Sequence, residues 1–319
     1  MRINKTIIAS SVAALMAVTS ASVMADDLNY DIYGNIHLSV NDQDSDASSP
    51  ELKSNTSAFG IKGNKKLGDS GIEVMFKLEW QVDPTSRNDT KAVVDRDQWI
   101  GFKGRFGKVL IGTASSNYKS KGGKVDPMYR TPLEGRSSFM RTQSNRLHGG
   151  AAIDRGRMTK SINYTTPKMN GFEVQVNTSL TGQDDSSGIG LRHSTKKSLV
   201  YVDYINDSFV GGAGTYEVAT KVGGFYKFDD LTVGAQFENS ADIDGSDYWF
   251  LSASYKLDKT STLKFSTGEA DGARMSSSVA AMYDYKLDKS TNIYAGYGSK
   301  SDDLGPDDSM FTIGARYKF

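Results

Sequence analysis

Apolar and polar residues alternate with a period of two over much of the chain. Tyr30, Ile32, Gly34, Ile36, Leu38 and Val40 are interleaved with Asn29, Asp31, Tyr33, Asn35, His37 and Ser39. Ile72, Val74, Phe76, Leu78, Trp80 and Val82 are interleaved with Glu73, Met75, Lys77, Glu79 and Gln81. Wound into helices, these residues would spread apolar groups around the whole circumference. Extended, they give one apolar face and one polar face, so the pattern predicts strands. It returns at Phe172, Val174 and Val176; at Trp249, Leu251, Ala253 and Tyr255; at Val279, Ala281, Tyr283 and Tyr285; and at Phe311, Ile313, Ala315, Tyr317 and Phe319. The runs are long. Strands of soluble proteins average about 5–6 residues, whereas a tilted strand needs roughly 9–11 to cross a bilayer. Alternation alone would also suit a soluble β-sandwich; the length favours a transmembrane barrel.

The connections alternate too. Short turns such as Leu67-Gly68-Asp69-Ser70-Gly71, Pro167-Lys168-Met169-Asn170-Gly171 and Asp229-Asp230 follow some strands. Longer polar stretches follow the others, over 41–55, 84–94, 182–197, 240–246 and 300–308. Short turns at one end and long loops at the other are the arrangement of outer-membrane barrels. An internal repeat agrees with this. Tyr226-Lys227-Phe228-Asp229, Tyr255-Lys256-Leu257-Asp258, Tyr285-Lys286-Leu287-Asp288 and the closing Tyr317-Lys318-Phe319 recur about every 30 residues, one hairpin plus one loop. At that spacing the chain holds about 16 strands, within the known range of 8 to 26. The fold expected is all-β: a closed antiparallel barrel.

Composition changes this picture in three ways. Hydrophobic residues make up 38% of the chain and mean hydropathy is −0.46, values compatible with a barrel because only alternate residues meet lipid. Beyond the first residues no apolar stretch is long enough for a spanning helix. Tyrosine (16) outnumbers phenylalanine (14), as suits an interface where the ring sits in lipid and the hydroxyl in water. There is no cysteine, so an exported chain must be held by other means, which a closed hydrogen-bonded barrel supplies. Export itself is read from the start: Arg2 and Lys5, a short apolar run, then Val23-Met24-Ala25 as a cleavage site. Residues 1–25 are expected to be a removed signal peptide and 26–319 a single barrel domain. The formal charge is zero, and nothing points to a nucleic-acid partner.

The order of several short motifs resembles the general diffusion porins of Gram-negative bacteria. These are Tyr33-Gly34, Phe59-Gly60-Ile61-Lys62-Gly63, Leu67-Gly68, Phe76-Lys77-Leu78-Glu79, and Arg96 through Gly101-Phe102-Lys103-Gly104. Ser161-Ile162-Asn163-Tyr164-Thr165-Thr166-Pro167 with Gly171-Phe172 resembles the sixth and seventh strands, and Gly314-Ala315-Arg316-Tyr317-Lys318-Phe319 the last. The resemblance spans the mature chain. It implies sixteen strands, a homotrimer in the outer membrane beside lipopolysaccharide, no cofactor, and passive diffusion of small polar solutes and ions. It also implies a third loop, about 113–150, folded into the lumen as a constriction, with acids on that loop facing bases on the wall. Asp126 and Glu134 are the loop acids, Arg130 and Arg136 loop bases. On the wall Arg96 keeps the family's basic position; Lys77, Glu79, His37 and Arg316 share the lumenal parity. The chain departs from the family pattern at Ala58, where arginine is frequent, and at Lys65-Lys66, where acids are usual. Between 115 and 157 the loop carries nine Lys or Arg against Asp126, Glu134 and Asp154, which implies a constriction favouring anions.

Three other function classes are compatible with an exported β-rich chain. Catalysis has little support: His37, His148 and His193 are scattered, no serine sits in a nucleophile-elbow setting, and no metal-ligand spacing is present. A sugar-specific channel would need a lumenal aromatic track, for which Tyr33, Phe102 and Tyr201 are the candidates. A soluble secreted β-protein such as an adhesin is the third. The acidic stretches around Asp42, Asp44 and Asp46, and around Asp302, Asp303, Asp307 and Asp308, are read first as solvated loops, with divalent-cation sharing as the sharper alternative.

Overall fold

The computed structural model describes residues 29–86, 93–148, 156–180, 186–207, 217–273, 275–303 and 305–319; the expected signal peptide lies outside them. The strands are β1 (Asn29–Gln43), β2 (Glu51–Ser54), β3 (Ala58–Lys66), β4 (Glu73–Val82), β5 (Val93–Gly104), β6 (Gly107–Ser115), β7 (Arg157–Thr165), β8 (Phe172–Ser179) and β9 (Ser187–Ser194). They continue as β10 (Ser198–Asp207), β11 (Glu217–Phe228), β12 (Leu231–Asn239), β13 (Ser246–Lys256), β14 (Ser261–Gly272), β15 (Ser276–Lys286), β16 (Thr291–Asp302) and β17 (Asp308–Lys318). Apart from the short β2, each pairs antiparallel with its neighbours in sequence, and β1 pairs with both β3 and β17. The wall is a closed barrel of sixteen strands. Closure leaves no unpaired edge, the condition for β-structure in lipid.

Parity follows the sequence pattern on most strands. Ile32, Val40, Val200, Val202, Leu251, Ile313 and Phe311 are exposed on the outside; Asn35, His37, Tyr201, Asp203, Ser252 and Thr312 point inward and are buried. The Tyr-Lys-Leu-Asp repeat also resolves into turn chemistry. Asp258 accepts the backbone N–H groups of Thr260 (2.6 Å) and Ser261 (2.8 Å), and Asp288 those of Ser290 (2.6 Å) and Thr291 (2.7 Å). Each aspartate closes a tight turn through its own side chain, and these bonds hold the Asp258 carboxyl down at about 2. The seam is closed at the chain's end: Gly34 N–H donates to the Phe319 carbonyl (2.9 Å) and Phe319 N–H to the Gly34 carbonyl (3.1 Å).

Two stretches expected as loops contain strands. Within 41–55, β2 folds back to pair with Leu38–Asn41 and extends the line of β3 along β1. Within 182–197 lies β9, a full wall strand. Its inward positions are Gly188, Gly190 and Arg192, so no polar–apolar rhythm marks it. Gly190 is small because its neighbours close in: a Cβ there would stand 2.1 Å from Asp203 Oδ1 and 2.0 Å from Arg192 Nη1.

Candidate functional site

The lumen is crossed by the chain between β6 and β7. Strand β6 runs through Ser115 and β7 begins at Arg157, so this loop covers 116–156 rather than 113–150, with 149–155 outside the described residues. It opens with helix α1 (Asn117–Val125), capped by the Ser116 hydroxyl accepting from Lys119 N–H. The helix seats on the inner faces of β8–β12 through a buried polar network. Asn117 N–H donates to Asn177 (2.8 Å), the Asn117 amide to Asp203 (3.2 Å), and Tyr118 Oη to Glu238 (3.0 Å). Arg192 bridges Asp203 (2.7 Å) and the Asn117 carbonyl (2.8 Å), while Lys221 donates to the Tyr118 carbonyl.

From Val125 the loop crosses to the opposite inner face. Met128, Leu133, Phe139 and Met140 pack with Ala280, Met282, Tyr294 and Met310 of β15–β17. Ser278 donates to the Met140 carbonyl (2.7 Å), and Arg130 reaches Asn35 on β1 (3.3 Å). The chain then returns, and His148 meets Glu238 at 3.1 Å. These contacts leave the wall of β3–β7 as the face across the bore from the loop.

That wall carries a compact charge cluster. Arg96 Nε donates to Glu79 (2.6 Å) and its Nη1 to Gln81 (3.0 Å). Lys77 bridges Glu79 and Asp97, both at 3.0 Å, Arg157 holds Asp97 at 2.8 Å, and Tyr33 Oη donates to Glu79 (2.8 Å). Arg96 and Asp97 are consecutive yet both face inward because of a bulge. Leu78 pairs with Gln98 but Trp80 with Asp95, so Glu79 alone stands opposite both. A bulge re-aims side chains and resets the parity beyond it. Phe102 is therefore not lumenal as its spacing from Arg96 implied; it pairs with Val74 and Val109 on the outer face. The same shift hid Asp97, and Arg157 was missed because it follows an irregular loop.

The loop acids turn inward on the loop itself. Asp126 is 4% exposed and accepts backbone N–H groups of Met128 (2.8 Å) and Gly135 (2.9 Å). Burial, then repulsion from Glu134, push its carboxyl up to about 7. Glu134 accepts Arg130 N–H (2.7 Å) and Arg136 Nε (2.9 Å), and Arg136 also donates to the His148 carbonyl. Asp126, Glu134 and Arg136 thus knit the loop, where resemblance implied a transverse field. Arg130 is different: its guanidinium makes no ion pair among the described residues and lies near enough to repel Arg96, Arg316 and Lys318. His37 is buried against Tyr294 Oη (2.9 Å), opposite Arg316 in the β1–β17 register. The outer acids are largely engaged: Asp308 accepts from Gln43 (2.7 Å) and Ser45 (2.6 Å), and Asp302 pairs with Lys300 (3.4 Å). Among the described residues no three His, Asp or Glu side chains gather as metal ligands.

Comparison with known proteins agrees with this architecture. A family profile described as Gram-negative porin matches residues 11–305. A monosaccharide porin from a Halomonas species is 22% identical over 277 residues, covering 76% of this chain and 73% of that protein. An anion-selective porin from Comamonas acidovorans superposes with a TM-score of 0.77 at 18% identity, covering 92% of this chain and 100% of that one. In-vitro folded OmpT of Vibrio cholerae, in its trimer form, superposes with a TM-score of 0.66 at 16% identity, covering 92% and 100%.

Proposed function

The chain belongs to the Gram-negative porin family and is a passive diffusion channel of the bacterial outer membrane, and from that premise we propose that it sorts small hydrophilic solutes by charge where segment 116–148 crosses the lumen. The observation that carries this reading is the unequal pairing of charges around the bore. On the β4–β7 wall, Lys77, Arg96 and Arg157 meet Glu79 and Asp97 and are nearly neutralised. On the other side Arg130 and Arg316 have no carboxylate partner among the described residues. A narrow, low-dielectric bore focuses such uncompensated charge, whereas acids at the wide outer mouth are screened within about 8–10 Å. The pore therefore prefers anions, weakly, and Arg130 and Arg316 set the sign more than Arg96 or Lys77. The anion-selective porin from Comamonas acidovorans shares the fold and that sign.

Residues 1–25 act as the signal peptide and 26–319 as the barrel, with short turns and both termini in the periplasm. The protein assembles as a homotrimer through an apolar outer face such as that of Ile32, Ile36 and Val40, as the trimer form of OmpT supports. Its outer acidic loops sit beside lipopolysaccharide. The monosaccharide porin relative does not favour a sugar track here: Phe102 faces outward and Tyr201 is buried under the loop, leaving Tyr33 of the three expected aromatics. Reversal potentials of the purified protein in planar bilayers, under a KCl gradient, test the reading. A small potential of anion-selective sign is expected, and a cation-selective sign refutes it.

A further inference from the structure

Below the crossing loop, toward the short-turn end, the lumen wall holds a concave pocket of ≈ 230 Å³ between Pro127–Thr131 and strands β14–β17 and β1. The sheet register builds it. His37 stands opposite Arg316, Arg316 opposite Asn292, and Asn292 opposite Lys286, a row of inward polar side chains across four adjacent strands. Lys264, Lys289 and Lys318 complete the lining, giving five cations against Asp284 and Asp288. Both acids are already engaged. Asp284 takes Lys264 (2.9 Å) and the Asn292 amide (2.9 Å), and Asp288 closes the 287–291 turn. Arg316 makes no ion pair among the described residues, and its Nε is buried without a hydrogen-bond partner. Arg130 adds a further positive charge from the loop above.

We propose that this pocket is a binding subsite for small dianions bearing carboxylate or phosphate oxygens, where such solutes pause as they pass. The proposal rests on the channel reading and deepens it: beyond a diffuse preference for anions, it assigns a discrete place and a solute class. A guanidinium presents paired N–H donors that match two oxygens of a carboxylate or phosphate, with ammonium groups beside it as point charges. The pocket has room for inorganic phosphate or a short dicarboxylate and is open toward the lumen. A monovalent anion such as chloride meets the same charge with half the attraction and no second oxygen to bridge Arg316 and its lysine neighbours.

The test is the chloride current of single channels in KCl at fixed ionic strength, with inorganic phosphate or succinate added to either side. Both should reduce the current saturably, and more readily from the short-turn side, where the pocket opens below the loop. Arg316→Gln with Lys318→Gln should raise the half-blocking concentration on the order of tenfold or more, the worth of one or two charge-assisted hydrogen bonds. Lys227→Gln, the equivalent position of the Tyr-Lys repeat on β11 and outside the pocket, should leave it unchanged. Absence of saturable block, or equal relief by Lys227→Gln, overturns the subsite and leaves the channel reading standing; block by phosphate alone or succinate alone narrows the class of anion while upholding the site. Equilibrium dialysis of phosphate against the detergent-solubilised protein reads the same site without conduction. Saturable binding lost in the double variant supports the subsite even if no current were seen, an outcome that would instead sink the channel reading.

Discussion

One extra residue on β5 brings Asp97 into the lumen beside Arg96, and what either charge does depends on its partners. Glu79 accepts from Arg96, Lys77 and Tyr33 at 2.6–3.0 Å, so removing one partner exposes the other. Arg96→Gln should move the reversal potential toward cations because it uncovers Glu79 as well as deleting a cation. Glu79→Gln should move it toward anions, and Arg130→Gln toward cations; a null result for all three in the same bilayer measurement would place the selectivity elsewhere. On the outside, single residues answer to lipid. Leu251 is 49% exposed on the outer face of β13, and Ser254 lies on the inner face of the same strand. Arginine near mid-bilayer on a barrel's outer face costs about 2–4 kcal/mol. Leu251→Arg should therefore lower the heat-modifiable folded fraction sharply, while Ser254→Arg should lower it little.

At the scale of elements, the crossing loop is a packed structure with anchors on two walls. Its apolar anchor on β16 needs glycine. A Cβ at Gly296 would stand 2.9 Å from Leu133 Cδ1 and 3.1 Å from the Ala281 carbonyl. Gly296→Val should thus push residues 128–133 into the bore and reduce single-channel conductance without abolishing assembly. The polar brace at Asp126 makes the loop sensitive to pH. Its carboxyl titrates near 7 in the folded loop against an ordinary 3.8, so folding favours the protonated form. That contribution is complete below about 4 and is lost as pH rises through about 7. Loop proteolysis and open-channel noise should therefore increase from pH 5 to pH 8, and Asp126→Asn should flatten both dependences. The long alternating strands and the short charged turns were legible from spacing alone, whereas their closure by Asp258 and Asp288 was not. Nor was strand β9, because two of its inward positions are glycines, crowded by Asn117 of the loop at Gly188 and by the Asp203 and Arg192 side chains at Gly190.

The whole molecule depends on closing sixteen strands into one ring. The last contact to form along the chain's own order is β17 on β1, which nine register pairs and the Gly34–Phe319 bonds complete. The Phe319 ring lies over Gly34, where any Cβ would stand 2.6 Å from its Cζ, so Tyr33-Gly34 and the terminal aromatic are two halves of one seam. Deleting Phe319 removes both backbone bonds and the ring. It should slow assembly and lower the yield of heat-modifiable barrel, whereas Phe319→Tyr should restore most of it. Crosslinking of the folded protein in mild detergent should give a species three times the monomer mass. A single band at monomer mass would show that the apolar face of β1 meets lipid alone.

Period-two alternation, strand length and the alternation of short turns with long loops were enough to determine a membrane barrel of about sixteen strands, because these are local consequences of a wall with lipid on one side and water on the other. Alternation also placed Lys77, Glu79, His37 and Arg316 on the inner face, and the family resemblance added Arg96. Which of those charges are paired was decided only by the tertiary structure. Parity assumes an uninterrupted ladder, and one bulge was enough to bring Asp97 in and turn Phe102 out. Parity is equally silent about a loop that leaves the wall: the sequence shows that 115–157 is basic, but not that Asp126 and Glu134 fold back to brace it. Whether a charge is spent on a neighbour or left to act on a solute depends on pairings between residues far apart in the chain, such as Arg157 with Asp97 or Lys264 with Asp284, and those distances exist only once the barrel has closed.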